Sequence, residues 1–376
     1  MTRRRVLAAL ATLLLALLPA RAAAARIAVV ANDDTDNAGT IRVLAADAPW
    51  AEVKPPLVVG ADSVVQERGR KLYVLSRRDG SVAVIAKHDW EIRRTLALGT
   101  QHPPEDIAVI GRRRAYVTRQ GVASLLRLDP KTGQASEVVD LSAFADDDGV
   151  PDLGAMLIAG DRLFVQIRRA NENAPGGLQS PAYLAVVDLA SETLVDANLE
   201  AAGVQGIELA GTAPKHRMQA IGQTLLVSAT GGFFDAGGIE IVDLATLQSE
   251  GIAIAEADGE TGADLGPFAM TSASSGFLVY STDLDLSSHL KRFSFEHGVE
   301  KGPELHVSVG YAVPAIAHDP RSGNLFVPES IFGSRGVHVF AADSGQRLTQ
   351  QPLGTGGRPT DLLLLRAPAL PAGDDR

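Results

Sequence analysis

The stretch Asp146-Asp-Asp-Gly-Val-Pro-Asp152 places carboxylates at Asp146, Asp148 and Asp152 around Gly149. Alternating acids beside a glycine turn can aim several oxygens at one point, and a hard cation such as calcium needs six to eight. Calcium is the expected ion. Asp and Gly also close turns unaided, and the sequence leaves both readings open. The segment Asn32–Gly39, NDDTDNAG, is similar but less regular. A second group is scattered along the chain: His102, Glu105, His216, Arg217, Arg358 and Asp361. These are expected near the mouth of a central channel, on a ligand-binding face, where acids and a histidine could hold a divalent metal for hydrolysis. Met156, Met218 and Met270 are all the methionines besides the initiator. With His216 nearby they could bind Cu(I), but methionine more commonly fills gaps in a core, and core packing is expected. The chain has no G-x-S-x-G nucleophile elbow and no H-E-x-x-H pair, so no catalytic residue is assigned.

The N-terminus carries Arg3-Arg4-Arg5, then the apolar run Val6–Leu18, then Ala20-Arg21-Ala22. A basic, apolar, small-residue order is that of a secretory signal peptide. The expected division is a signal over 1–24, one domain over 25–366 and a tail over 367–376. Export to the periplasm or beyond is expected, and the Ala- and Arg-rich usage suggests a high-GC bacterium. The chain has no cysteine, which excludes disulfides, thiolate metal sites and covalent haem attachment. Loss of four leader arginines leaves 31 of the 35 basic residues against 45 acidic ones, a net charge of −14. That balance argues against a nucleic-acid partner. No later stretch reaches the ~20 apolar residues of a membrane span.

Positioning elements emerge from an internal repeat. An aromatic residue or Leu before Val recurs at Tyr73-Val74, Tyr116-Val117, Phe164-Val165, Leu226-Val227, Leu278-Val279 and Phe326-Val327, with Val29-Val30 as a degenerate first copy. A repeat of this length points to a propeller or solenoid. Each copy precedes a second alternating strand, such as SVAVIAK or GIEIVDLATL, closed by Asp and Gly turn residues. Four strands per unit and seven units predict an all-β, seven-bladed β-propeller. Its first blade lacks an inner strand, and Pro359–Leu365 (PTDLLLL) is a spare one at the far end. The match to Pro104–Ile110 (PEDIAVI) predicts that the C-terminal strand completes blade 1 and closes the ring.

The stretches GYAVPAIAHDPRSGNLFVPESIFGSRGVHVFAADSG and AYVTRQGVASLLRLDPKTGQ resemble repeats of the YVTN family. The resemblance implies a secreted or periplasmic seven-bladed propeller and carries no ligand assignment. Separately, Asp146–Asp152 resembles the tail of a thrombospondin type-3 calcium loop, with Phe144 where that pattern has its first acid.

In a propeller, the links between blades share one face with the loops between second and third strands. Longer segments collect on that face: 144–152, 171–181, 201–217, 230–238, 256–267 and 282–288. Function tends to ride on such loops. The expected function is therefore non-catalytic binding of a protein, peptide or cell-surface ligand by a monomeric propeller, through an acidic long-loop face over blades 4–6. A metal-dependent hydrolase of the propeller-lactonase type is the alternative. It requires Glu105, His216 and Asp361 to converge.

Overall fold

The structure, a computed structural model, describes residues 25–33, 35, 37–170, 181–229, 237–256, 263–282 and 286–365. The expected leader and tail, most of the segments 171–181 and 230–238, and half of 256–267 lie outside these residues. The 3-10 turn Ser142–Phe144 is the one helical element fully described. Everything else regular is strand, in seven antiparallel sheets.

From first strand to last, blade 2 is Ser63–Arg68, Lys71–Ser76, Ser81–Ala86 and Glu91–Ala97; blade 3 is Pro104–Gly111, Arg114–Arg119, Ser124–Leu128 and Ala135–Asp140. Blade 4 is Leu153–Ala159, Arg162–Ile167, Tyr183–Asp188 and a split outer edge, Thr193–Val195 with Ile207–Glu208. Blade 5 is Gln219–Ile221, Thr224–Ala229, Gly238–Asp243 and Gln248–Ala255. Blade 6 is Ala263–Met270, Ser275–Thr282, Ser287–Ser294 and another split edge, Gly298–Val299 with His306–Val309. Blade 7 keeps Ala317–Asp319, Asn324–Glu329 and Gly336–Ala341, with its outer strand reduced to bridges at Arg347 and Leu353.

Blade 1 is built from both ends of the domain. Arg358–Leu365 pairs antiparallel with Arg26–Asn32, from Arg26 opposite Leu365 to Asn32 opposite Arg358. Gly39–Ala45 and Glu52–Val59 follow outward. The C-terminal strand is thus the missing inner strand, and the ring is closed.

Second strands are buried on both sides because each stands between two neighbouring blades. Side chains alternate across a strand, so adjacent residues face opposite interfaces. Tyr73 packs toward blade 3 and Val74 toward blade 1. Tyr116 and Val117 divide in the same way, as do Phe164 and Val165, Leu226 and Val227, and Phe326 and Val327. An apolar cluster fills each of the seven interfaces, including that between blades 7 and 1, where Ile27, Val29 and Leu362 meet Phe326 and Val337. A fully buried residue of this size contributes roughly 1.5–3 kcal/mol. Alternation also corrects the repeat register in two blades. In blade 6 the forward-facing residue is Phe277 and the backward one Leu278; in blade 1 they are Ala28 and Val29. A one-residue slip exchanges the two faces, which the apolar character of every candidate conceals.

Met156 and Met218 belong to the clusters between blades 3 and 4 and between blades 4 and 5, and Met270 packs against that between blades 5 and 6. The methionines are core, as expected. On the face opposite the long loops, Asp129, Asp188, Asp243 and Asp319 close short turns by accepting local N–H groups.

Candidate functional site

The channel-mouth residues do not assemble as a metal centre. Asp361 and Asp106 occupy equivalent slots, one opposite Val30 and the other opposite Thr118. Each carboxylate accepts the N–H of its own next residue and that of the following or neighbouring inner strand. Asp361 takes Leu362 (2.9 Å) and Val65 (2.9 Å); Asp106 takes Ile107 (2.8 Å) and Met156 (2.7 Å). These are staples between blades. Arg217 reaches from blade 5 to blade 1, donating to both Asp361 oxygens and to the carbonyl of Val65 (2.7 Å). Burial disfavours the Arg217 charge, but Asp361 and then Asp106 override it and hold its pKa above the usual value. Burial dominates at Asp106 and raises its pKa despite Arg217 and the two N–H donors.

Glu105 is held by Gln120 (3.0 Å) and flanked by Arg77 (3.6 Å) and Arg168 (3.7 Å). His216 has a left-handed backbone (φ 56°), and its surroundings lower its pKa to about 3, by burial first and Lys215 second. It is neutral at physiological pH even though part of it still meets water. His102 is elsewhere: it neighbours Gly121 and acts electrostatically on Glu137 of the outer strand of blade 3. Glu105, His216 and Asp361 therefore form no ligand set; the His, Asp and Glu groups that do come together among the described residues are two others. A divalent metal held by these three residues finds no support in that geometry. Arg217→Met should lower stability by about 2 kcal/mol by leaving buried Asp361 and Val65 short of donors. Urea unfolding of the full chain measures it, and an unchanged midpoint would refute the brace.

The first assembled group is one that sequence reasoning passed over. Glu329, at the end of the second strand of blade 7, accepts Nε2 of His306 and Nε2 of His338 on one oxygen, both at 2.8 Å. Its other oxygen accepts the hydroxyls of Ser308 (2.8 Å) and Ser334 (2.5 Å). His306 and Ser308 come from the split edge of blade 6, so the group braces two blades. Two histidines and a glutamate are a zinc-like donor set, but Arg347 decides against it. Its guanidinium can only donate and lies 2.7 Å from Nδ1 of His338. Nδ1 must accept, so Nε2 carries the proton and points it at Glu329. A metal-bound histidine would need the reverse arrangement. Sequence offered weak signals here, since His306 and His338 sit 32 positions apart and in different blades.

The second group is Asp146, Asp148 and Asp152, in the link between blades 3 and 4, with carboxylate oxygens within 4.8 Å of one another. The predicted residues do converge. Phe144, beside them, is buried against Leu141 and Tyr183 rather than offering a ligand.

Acids elsewhere on this face serve the fold. Glu240 accepts the N–H groups of Ala210 (2.9 Å) and Gly211 (3.1 Å), pinning the long link after blade 4. Glu256 accepts those of Gly237 (2.9 Å) and Leu265 (2.8 Å). In a chain without disulfides, buried carboxylates tie loops and blades together.

The long-loop face also carries exposed apolar side chains. Leu286 (53 % exposed) and Phe332 (81 %) come from the second-to-third strand loops of blades 6 and 7, Val309 (68 %) from the end of the outer edge of blade 6 and Tyr311 (56 %) from the link that follows it. These segments touch: the N–H of Gly310 donates to Leu286, and that of Ser330 to Ala312 (2.8 Å). Beside them opens a cavity of about 400 Å³ lined by Asn32, Asp62, Arg78, Pro314, Ser330 and Arg358–Thr360. Of the predicted ligand-face residues, Arg358 is the one that lines it.

The sequence matches no family model and no curated protein. Solved structures share the fold. A protein of unknown function from Desulfotomaculum acetoxidans is 13% identical with a TM-score of 0.59, covering 91% of this chain and 99% of that one. Apo AztD from Citrobacter koseri is 15% identical with a TM-score of 0.54, covering 91% and 98%. Hydrazine synthase from Kuenenia stuttgartiensis is 12% identical with a TM-score of 0.54, covering 78% and 85%. At these identities the likeness is one of β-propeller architecture, and the resemblance to YVTN repeats rests on the repeat sequences alone.

Proposed function

We propose that the chain is an exported, non-catalytic binding propeller that engages a protein, peptide or cell-surface partner on its long-loop face. The observation that carries this reading is the set of exposed apolar side chains, Leu286, Val309, Tyr311 and Phe332, on touching segments beside the Arg358 cavity. Aromatic side chains left in water next to a concavity suit an interface, where they anchor binding. Among the described residues this surface lies over blades 6 and 7, with the cavity running on to blades 1 and 2; much of the long-loop sequence over blades 4–6 lies outside the described residues. Export rests on the basic, apolar and small-residue order of the leader, and at the channel mouth Asp361 is engaged by Arg217 and by backbone N–H groups.

A photo-crosslinker at Phe332 should capture a defined partner from the native envelope, while one at Lys131 on the opposite face should not. Combining Phe332→Asp with Tyr311→Asp should weaken that partner's binding at least tenfold without shifting the melting temperature, because both side chains are exposed. Equal capture from both faces, or undiminished binding by the double variant, would refute the reading.

A further inference from the structure

Buried carboxylates in this protein are consistently satisfied, and the exceptions lie together. Asp106, Glu240, Glu256, Glu329 and Asp361 each accept two or more hydrogen bonds. Among the described residues, the carboxylate oxygens buried without any hydrogen-bond partner are Oδ2 of Asp146 and Oδ2 of Asp152. Asp146 is 9 % exposed. Its other oxygen accepts the N–H of Asp148 (3.0 Å), and that of Asp148 accepts the N–H of Val150 (2.8 Å). The turn therefore forms without Oδ2 of either Asp146 or Asp152. An orphaned buried carboxylate oxygen costs free energy, and a cation bound among the three acids would satisfy both.

We propose that Asp146, Asp148 and Asp152 form a binding site for a hard divalent cation, calcium, in the link between blades 3 and 4. The donors are all oxygen, as calcium requires, and three carboxylates leave room for water or carbonyl oxygens to complete its shell. Asp152 takes a left-handed backbone (φ 53°) and Gly149 another (φ 84°), folding the acids back on one another. Arg168 and Arg169 are the nearby cations, acting on Asp152 and Asp146 respectively. Two positive charges against the three carboxylates leave a net negative site.

The test uses the full mature chain stripped with EDTA. Titrated calcium should raise its melting temperature by several degrees, and terbium bound at the site should luminesce and be displaced by calcium. Asp146→Asn should weaken calcium binding at least tenfold, and Asp152→Asn likewise. Relief of like-charge repulsion should make the calcium-free Asp146→Asn protein at least as stable as the parent, so the variant reports binding rather than misfolding. Asp129→Asn, in a turn on the opposite face, should bind calcium normally. No thermal shift and no calcium-displaceable terbium in the parent would overturn the proposal, as would binding unchanged in the Asp146→Asn, Asp152→Asn double variant.

Discussion

Deleting residues 359–366 should yield a protein that aggregates or melts without a cooperative transition. The deleted strand supplies more than one blade with its core. Leu362 packs between blades 7 and 1, while Leu365 packs between blades 1 and 2. Thr360 donates to the carbonyl of Ser63 (2.9 Å) and Asp361 accepts from Val65, tying the strand to blade 2 as well. Burial of the two leucines alone is worth about 3–6 kcal/mol, a large part of the 5–15 kcal/mol typical of a whole domain. The deletion also bares Arg26–Asn32, a strand of strongly apolar residues, along one entire edge, and such edges recruit other chains. Size-exclusion chromatography and thermal unfolding followed by circular dichroism measure both effects. Adding the peptide PTDLLLLR in excess should restore part of the cooperative transition, because the lesion is a missing strand. A soluble, monomeric truncation with the parent's melt would refute closure as the lock on the ring.

The closing strand was legible because it copies the type pattern of another inner strand: Pro, a polar residue, Asp, then an apolar run. The structure explains the copy physically, since Asp361 and Asp106 each staple one inner strand to another. The same reasoning misplaced their chemistry. An acid near an axis reads as a ligand, yet its oxygens are already engaged by N–H groups supplied by a different blade, which no local motif announces. Glu329 was missed for a related reason: its partners come from positions 306, 308, 334 and 338, brought together only when blades 6 and 7 pack. Asp146–Asp152 was legible because its geometry is local, set by one turn. The apolar loops of blades 6 and 7 were not, because Leu286, Tyr311 and Phe332 have the residue types of core strands, and only their position on a face turns them into surface. Repeat register slipped at Leu278-Val279 and Val29-Val30, where several consecutive residues are apolar and alternation gives no preferred phase.

Replacing Glu329 should be the most damaging single substitution. Glu329→Ala leaves four donors from His306, His338, Ser308 and Ser334 without their acceptor in a buried site, and opens a cavity. Breaking a buried, fully hydrogen-bonded charge costs about 3–5 kcal/mol, a fall of roughly 5–10 °C in melting temperature. Glu329→Gln should cost about half as much. Its amide oxygen can face the two histidines, and its NH₂ can face Ser308 and Ser334, whose hydroxyls can rotate to accept. It cannot be turned the other way, because Arg347 fixes the proton of His338 on Nε2. The pH dependence follows with a definite sign. Burial alone would raise the pKa of Glu329, but its four donors overcome this and hold it far below the ordinary glutamate value of 4.5. A carboxylate whose pKa is depressed by folding contributes stability fully above its unfolded value. That contribution declines as pH falls below about 4.5 toward the folded-state value. The stability gap between the parent and Glu329→Gln, measured by urea unfolding from pH 7 to pH 3, should be constant down to about pH 5 and shrink below it. A gap that stays level, or widens with acid, would mean that Glu329 is not the anionic centre of the brace between blades 6 and 7.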